Sequence, residues 1–528
     1  RLTSVAEWQA LATVLQREGL QLLHVPTLLD QLWNDELDPA RRRPEFSRIV
    51  ASLHNMEYTG VSWRDKVTAV RNELKAIGAD AMIVTALDEV AWLLNVRGRD
   101  IPFAPLLKAF VVISLRDVKV YDQIHIFIHH FSFRVNEYTT IYADLRRISD
   151  NKVLIPTAGT FQRGASAAIA TAVPQPKRVF QPSPIIYLKA QKNPAEIKGM
   201  HKAHLRDAVA MCTVLSYIEG MVRIDGKAGL NEISAAMKVD MTRATQAGYG
   251  GLAMRTRVAF GPNGADPEYR ATNATNRRVF TNSTLIIQSG GQYDEGTTVV
   301  TRTLHYGAPS AAERRAYTTV LRSLAALGGL LAPPALPAAH TDPVARAPLW
   351  ALRQDYAPPT GHGVGAALNR REDPVVIDYR QDTNLHTFRE GYFITSGTYF
   401  FILSCSQYYW NVFGVRLGNV LEVVSKTGGY LGFREATLIP YEPKLIDRNL
   451  LTDYEINWLN AYNDRIRKTV GPELTDQGLT DVYYWVLNKT VHIELPSKTR
   501  KPTNDATPVS SLPTLLLTMT SIAMFMVL

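Results

Sequence analysis

The side chains in this sequence that could do polar chemistry gather in two glycine-punctuated stretches. Gly361-His362-Gly363-Val364-Gly365 sets one imidazole among glycines and is followed by Glu372 and Asp373. Ser289-Gly290-Gly291-Gln292-Tyr293 leads into the acid pair Asp294-Glu295. An imidazole near carboxylates is the donor set of a metal centre, because divalent cations take nitrogen and oxygen ligands in fixed numbers and geometry. One expectation is therefore a mononuclear site on His362 with Asp294, Glu295, Glu372 or Asp373. The competing reading of a lone imidazole is a satisfied pocket histidine. Ser289 and Ser396 show no strained Gly-x-Ser-x-Gly elbow and no acid partner, so a serine nucleophile is unsupported. Cys212 and Cys405, the two cysteines, sit in apolar runs and read as buried thiols rather than a disulfide framework.

These residues need elements to hold them. Apolar positions recur at helical spacing from Trp8 to about Trp33, and a charged break at Asp38 to Pro44 closes that segment. Ser62 opens a helix through Ile77, and the apolar runs Ala81-Met82-Ile83-Val84 and Phe110-Val111-Val112-Ile113 suit strands. Strands alternating with helices predict an α/β unit. Pro174, Pro176, Pro182 and Pro184 stiffen a connection, after which Asn193-Pro194 starts a long helix. Beyond it, Thr284-Leu285-Ile286-Ile287 and Thr297-Thr298-Val299-Val300 predict a hairpin joined across Gly290-Gly291. Ser310 and Glu313 predict a capping box for a helix to about Leu327, and another helix runs from Asp453 to about Ile466.

A chain of 528 residues can bury more than one core. Its net charge of +9 comes from 58 basic residues scattered among 49 acidic ones, without a basic stripe or nucleic-acid fingerprint, so nucleic acid is excluded as the expected partner. Near the C-terminus, Lys498, Arg500 and Lys501 precede a small polar stretch and the apolar run Leu512 to Leu528. That order matches a glycosylphosphatidylinositol-anchor signal with attachment at Asn504. It predicts a lipid-anchored protein on the extracellular face of the plasma membrane. Sequons at Asn273, Asn282 and Asn488 are compatible with glycosylation.

Several stretches together resemble the long, three-domain, eukaryotic-type aminopeptidases P, the Xaa-Pro aminopeptidases, from about residue 55 to residue 494. Trp63-Arg64-Asp65-Lys66 and the segment Thr85 to Gly98 resemble the family's middle domain. Gly261-Pro262-Asn263-Gly264, Ser289 to Tyr293, Gly296-Thr297-Thr298, Thr301-Arg302-Thr303, Gly361 to Gly365 and Gly414-Val415-Arg416 resemble its catalytic domain. The resemblance implies an α/β (α+β) chain. A remnant of a first domain would occupy 1–55, a creatinase-like α/β domain 56–190, a pita-bread peptidase-like domain 191–450, a helical extension 451–500 and the anchor signal 501–528. It also implies a homodimer.

The family, as the resemblance implies it, holds two divalent cations, commonly manganese or zinc, with two Asp, one His and two Glu, and cleaves the peptide bond before proline. Carried over residue by residue, the two aspartates fall on Gln288 and Val299, and the two glutamates on Gly397 and Gly418. His362 is the only surviving ligand. The family's supporting histidines fall on Glu268, Pro358 and Arg371. A ligand set stripped of four carboxylates loses the negative charge that two neighbouring cations require. The resulting expectation is a pseudoenzyme with no cofactor and no catalytic residues. It would bind a peptide, with Arg97 and His362 in the groove, or pair as a homodimer or with an active relative. The rival expectation is an active metallo-exopeptidase cleaving Xaa-Pro with the non-standard mononuclear site around His362, and a third is a purely structural protein whose groove is closed by Arg371 and Pro358.

Overall fold

A continuous apolar run such as Ala81–Val84 suits a strand covered on both faces, and all four of its residues are buried. In the computed structural model it is central in a six-stranded sheet. The strand order is Arg134–Glu137, Val118–Asp122, Ala109–Ser114, Ala81–Val84, Val153–Pro156 and Arg178–Gln181. The helix Trp63–Ile77 lies before it, started by the Ser62 side chain accepting from the Asp65 backbone N–H and stopped at Gly78, whose φ is +75°. The structure describes residues 3–495, apart from 24, 26–27, 37, 39–40, 44–49, 123–133, 225–228, 382–383 and 402–412.

The second half is built on an eight-stranded sheet. The order is Arg257–Phe260, Leu285–Ser289, Val300–Leu304, Gly414–Ser425, Phe393–Phe401, Gly361–Gly363 and Glu372–Ile377, with Leu431–Glu435 added beside Gly414–Ser425. The helices Pro194–Ile224, Glu232–Arg243 and Ala311–Gly328, with Asp453–Asp476 and Thr480–Lys489 near the end, pack on it. Ala311–Gly328 begins with the reciprocal capping box of Ser310 and Glu313. This is the mixed α/β, pita-bread arrangement that the resemblance implied. Arg1–Ile493 form one compact unit.

Two local expectations are corrected. The helical spacing from Trp8 to Trp33 is split into Val5–Arg17 and Leu28–Asn34, with Gly19 at φ +71° just after the first helix. The hairpin does not turn at Gly290-Gly291. Instead the chain leaves the large sheet there and pairs as Gly291–Tyr293 with Gly296–Thr297, turning at Asp294-Glu295. It then re-enters the large sheet at Val300–Leu304. The reason is packing: a Cβ on Gly290 would lie 2.2 Å from the Thr298 carbonyl oxygen, so the two arms cross too closely there for a regular ladder. Cys212 is buried in the main core, whereas Cys405 and Asn504 lie outside the described residues. Among the described residues no helix is long and apolar enough to cross a membrane.

Candidate functional site

Register assembles the site. Arg257 opposes Gln288, Gln288 opposes Thr301, Thr301 opposes Gly418 and Gly418 opposes Gly397. Directly opposed residues of antiparallel strands project to the same face, so these positions form one row across five strands. Three of the four positions onto which the resemblance carries the family's carboxylates therefore lie in this row, with Thr301 between Gln288 and Gly418. Val299 sits just before Val300–Leu304 and is buried in an apolar cluster with Met254, Val364 and Val420.

His362 approaches from the adjoining strand. Its backbone N–H donates to the Thr395 hydroxyl at 3.0 Å, and the Gly397 N–H donates to the Thr360 carbonyl at 2.8 Å, which fixes the strand beside the row. Its Nδ1 lies 2.9 Å from the Gly363 carbonyl oxygen. A carbonyl only accepts, so Nδ1 carries the proton and Nε2 is left as an acceptor. Burial, then the positive charge of Arg370, pushes the His362 pKa down to about 3, with Arg371 adding in the same direction. The imidazole is neutral at any physiological pH.

Around this row is a cavity of about 290 Å³. It is lined by His362 and by all four positions carried over from the lost ligands, Gln288, Val299, Gly397 and Gly418. Glu268, Pro358 and Arg371, the positions of the family's supporting histidines, also line it. The groove is not closed by Arg371 and Pro358, which corrects the purely structural expectation. The Pro358 carbonyl is instead engaged by Arg346 at 3.0 Å, and Arg371 is exposed at the edge.

The donor set does not fit a metal pair. Gln288 offers an amide whose Oε1 is buried without a hydrogen-bond partner, Val299 is apolar, and Gly397 and Gly418 have no side chains. Glu268, the one acid among the described residues at the cavity, points largely into solvent and lies 3.4 Å from Arg257. Among the described residues no group of three or more His, Cys, Asp and Glu side chains could hold a metal ion. Space is not the obstacle, since a Cβ on Gly418 would meet Thr301 and Gly397 at ordinary distances of 3.4–3.6 Å.

The acids of the mononuclear expectation are dispersed, which corrects it. Glu372 is fully buried between Lys189, at 3.0 Å, and Lys192. Asp373 accepts the backbone N–H groups of Thr160, Phe161 and Gln162 at 2.8–3.2 Å. Glu295 is paired with Arg206 at 2.6 Å, and Asp294 lines a different cavity. Arg97 is also elsewhere: it lines that second cavity and spends its guanidinium on the carbonyls of Ala91, Val96, Ala366 and Ala367 at 2.6–3.2 Å. It ties the creatinase-like domain to the loop after His362 and is not brought to the same groove. Asn273, Asn282 and Asn488 are exposed.

The cavity's arginines were missed. Arg370, Arg257 and Arg416 line it with Arg371. The doublet Arg370-Arg371 was a visible signal, but the placement of Arg257 opposite Gln288 depends on register and has no local signature.

Fold and site define a member of the creatinase and prolidase class of metallopeptidase scaffolds. Residues 42–196 match the Creatinase/Prolidase N-terminal domain, 198–425 match metallopeptidase family M24, and 429–493 match the C-terminal region of that peptidase. A probable Xaa-Pro aminopeptidase P of Sordaria macrospora is 33% identical over 88% of this chain and 76% of its own length. The Xaa-Pro aminopeptidase ApepP of Drosophila melanogaster is 31% identical over 92% of this chain and 79% of its own length. The crystal structure of X-prolyl aminopeptidase from Caenorhabditis elegans, described as a cytosolic enzyme with a di-nuclear active site, superposes with a TM-score of 0.83. It is 28% identical and covers 93% of this chain and 80% of its own. The chain belongs to the Xaa-Pro aminopeptidase P family.

The expectation of a lipid-anchored, cell-surface protein is overturned here. The nematode relative is described as a cytosolic enzyme. The tail 501–528 on which the expectation rested lies outside the described residues.

Proposed function

We propose that this aminopeptidase P family member does not hydrolyse Xaa-Pro bonds through a metal pair and retains its scaffold as a peptide-binding site. The observation that carries the reading is the single cross-strand row that brings Gln288, Gly418 and Gly397, the positions onto which the resemblance carries the family's carboxylates, beside His362. Two cations a few Å apart repel, and only clustered negative ligands offset that repulsion. One neutral imidazole with an amide and two glycines cannot. The peptide part of the reading is supported by the cavity, which stays open at about 290 Å³, close to the smallest volumes that hold small ligands.

The test is an Xaa-Pro peptide cleavage assay on the full chain with manganese or zinc supplied, run beside the quadruple variant Gln288→Asp, Val299→Asp, Gly397→Glu, Gly418→Glu. No turnover by the unaltered chain is expected, with metal uptake appearing only in the variant. Metal-dependent turnover by the unaltered chain would overturn the reading.

A further inference from the structure

One wall of the cavity does not come from the pita-bread domain. Phe161 lies in the loop after the strand Val153–Pro156 of the creatinase-like domain, yet it lines the cavity. Its ring stands edge-on to the His362 imidazole, with ring centres 5.8 Å apart at 75°. The group that fixes it there is Asp373, which is 2% exposed and belongs to the strand Glu372–Ile377 laddered to Gly361–Gly363.

Three consecutive backbone N–H groups converge on this one side chain. Asp373 Oδ1 accepts from Thr160 at 2.8 Å and from Phe161 at 3.2 Å, and Oδ2 accepts from Phe161 at 3.2 Å and from Gln162 at 3.1 Å. Both oxygens act only as acceptors, as a carboxylate does, and a nest of successive N–H groups is a concavity that favours an anion. The Gly159 N–H donates to the Gln162 carbonyl at 2.9 Å, which closes the turn around the carboxylate. A Cβ on Gly159 would lie 2.8 Å from Asp373 Oδ2, so the loop approaches this closely only with glycine there. The Asn384 amide adds a further tie by donating to the Thr160 hydroxyl at 3.2 Å.

A ring held in place on a cavity wall is a recognition element, because an aromatic side chain offers a large apolar area with few rotatable bonds. Met254, Val299, Pro358 and Pro359 add apolar atoms to the same lining. The guanidiniums of Arg257 and Arg416 donate to the carbonyls of Pro267 and Asp266, at 3.2 and 3.5 Å, and Arg371 is exposed at the edge. We infer that Phe161 is a specificity-determining residue of the cavity, packing against an apolar side chain of a bound peptide, and that Asp373 is the positioning residue that holds it there. The creatinase-like domain thereby becomes part of the binding site, a role that rests on the peptide-binding reading proposed above.

Two measurements on the full chain test the two roles. Isothermal titration compares a Leu-Leu dipeptide amide with its near-isosteric Asn-Asn amide, and the leucyl probe is expected to bind at least about tenfold tighter. F161A is expected to erase that preference and F161L, which restores an apolar wall, to keep most of it. D373N and, independently, G159A are expected to weaken the preference as F161A does, with thermal melts checking that each variant stays folded. Acylation of His362 by diethyl pyrocarbonate, mapped by mass spectrometry, reads the position of the ring without any ligand. Its rate is expected to rise by similar factors in F161A, D373N and G159A. A leucyl preference that survives F161A overturns the role of Phe161, and D373N with the His362 rate of the unaltered chain overturns that of Asp373. Equal binding of the two probes by the unaltered chain overturns the inference and leaves the peptide-binding reading standing, whereas no binding of either overturns both.

Discussion

The two faces of the strand Val300–Leu304 have met opposite fates. Arg302 points away from the cavity and is fully buried. Its guanidinium donates to the carbonyls of Thr301, Gly418 and Ile439, to Asn419 Oδ1 and to the Tyr462 hydroxyl, at 2.8–3.0 Å, and lies 4.6 Å from the Tyr441 ring centre. On the cavity side, Thr301 sits in the row between Gln288, with its unpartnered amide oxygen, and Gly418. A buried charge whose donors are all used cannot be changed without leaving partners behind, whereas a ligand position is constrained only by its ligand. The difference separates residues that hold the fold from those that only line the cavity.

The comparison is broken most severely by Arg302→Ala. Removing this buried guanidinium leaves its carbonyl, amide and hydroxyl partners unpaired around a cavity, at a cost of about 3–5 kcal/mol, read as a lower urea midpoint. Gly361→Ala comes next, because the added Cβ would lie 2.1 Å from the Thr395 carbonyl oxygen, and overpacking of that kind costs about 1–3 kcal/mol by the same measurement. An unchanged midpoint for either variant would mean that the scaffold is no more constrained than the cavity.

Acid sharpens the contrast in a different way. Burial holds His54, His204 and His362 at pKa values of about 3, 4 and 3, against 6.5 in the unfolded chain. Below pH 6.5 the unfolded chain takes up protons that the folded chain refuses, so stability is full above that value and falls as pH drops toward 4. Urea midpoints measured from pH 7 to pH 4 check the direction. The smallest effect belongs to Gly418→Ala, where the new Cβ finds only ordinary contacts: a change within about 1 kcal/mol is expected.

How much of this could be read beforehand follows from how local each signal is. The Ser310 and Glu313 capping box and the apolar run Ala81–Val84 are written in a few consecutive residues, and the structure places both as read. The absence of carboxylates at Gln288, Val299, Gly397 and Gly418 was legible through resemblance, residue by residue. That three of these share one row, with Arg257 at its end, was not, because the row depends on the register of five strands and one of its links joins Thr301 to the distant Gly418. The partners of Glu372 and Asp373 were hidden for the same reason. Lys189 and the loop at Thr160 to Gln162 reach them from the creatinase-like domain, and nothing near them in sequence announces it. The turn at Asp294-Glu295 was misplaced because Gly290-Gly291 carries a strong turn signal, whereas Gly290 serves a close backbone crossing.

On the proposed reading the scaffold is intact and holds no metal pair. This is tested most directly by inductively coupled plasma mass spectrometry on the full chain, saturated with manganese and zinc and then dialysed. The account predicts bound metal far below one ion per chain in a protein that still unfolds cooperatively. Two ions per chain, as in a di-nuclear site, would contradict it.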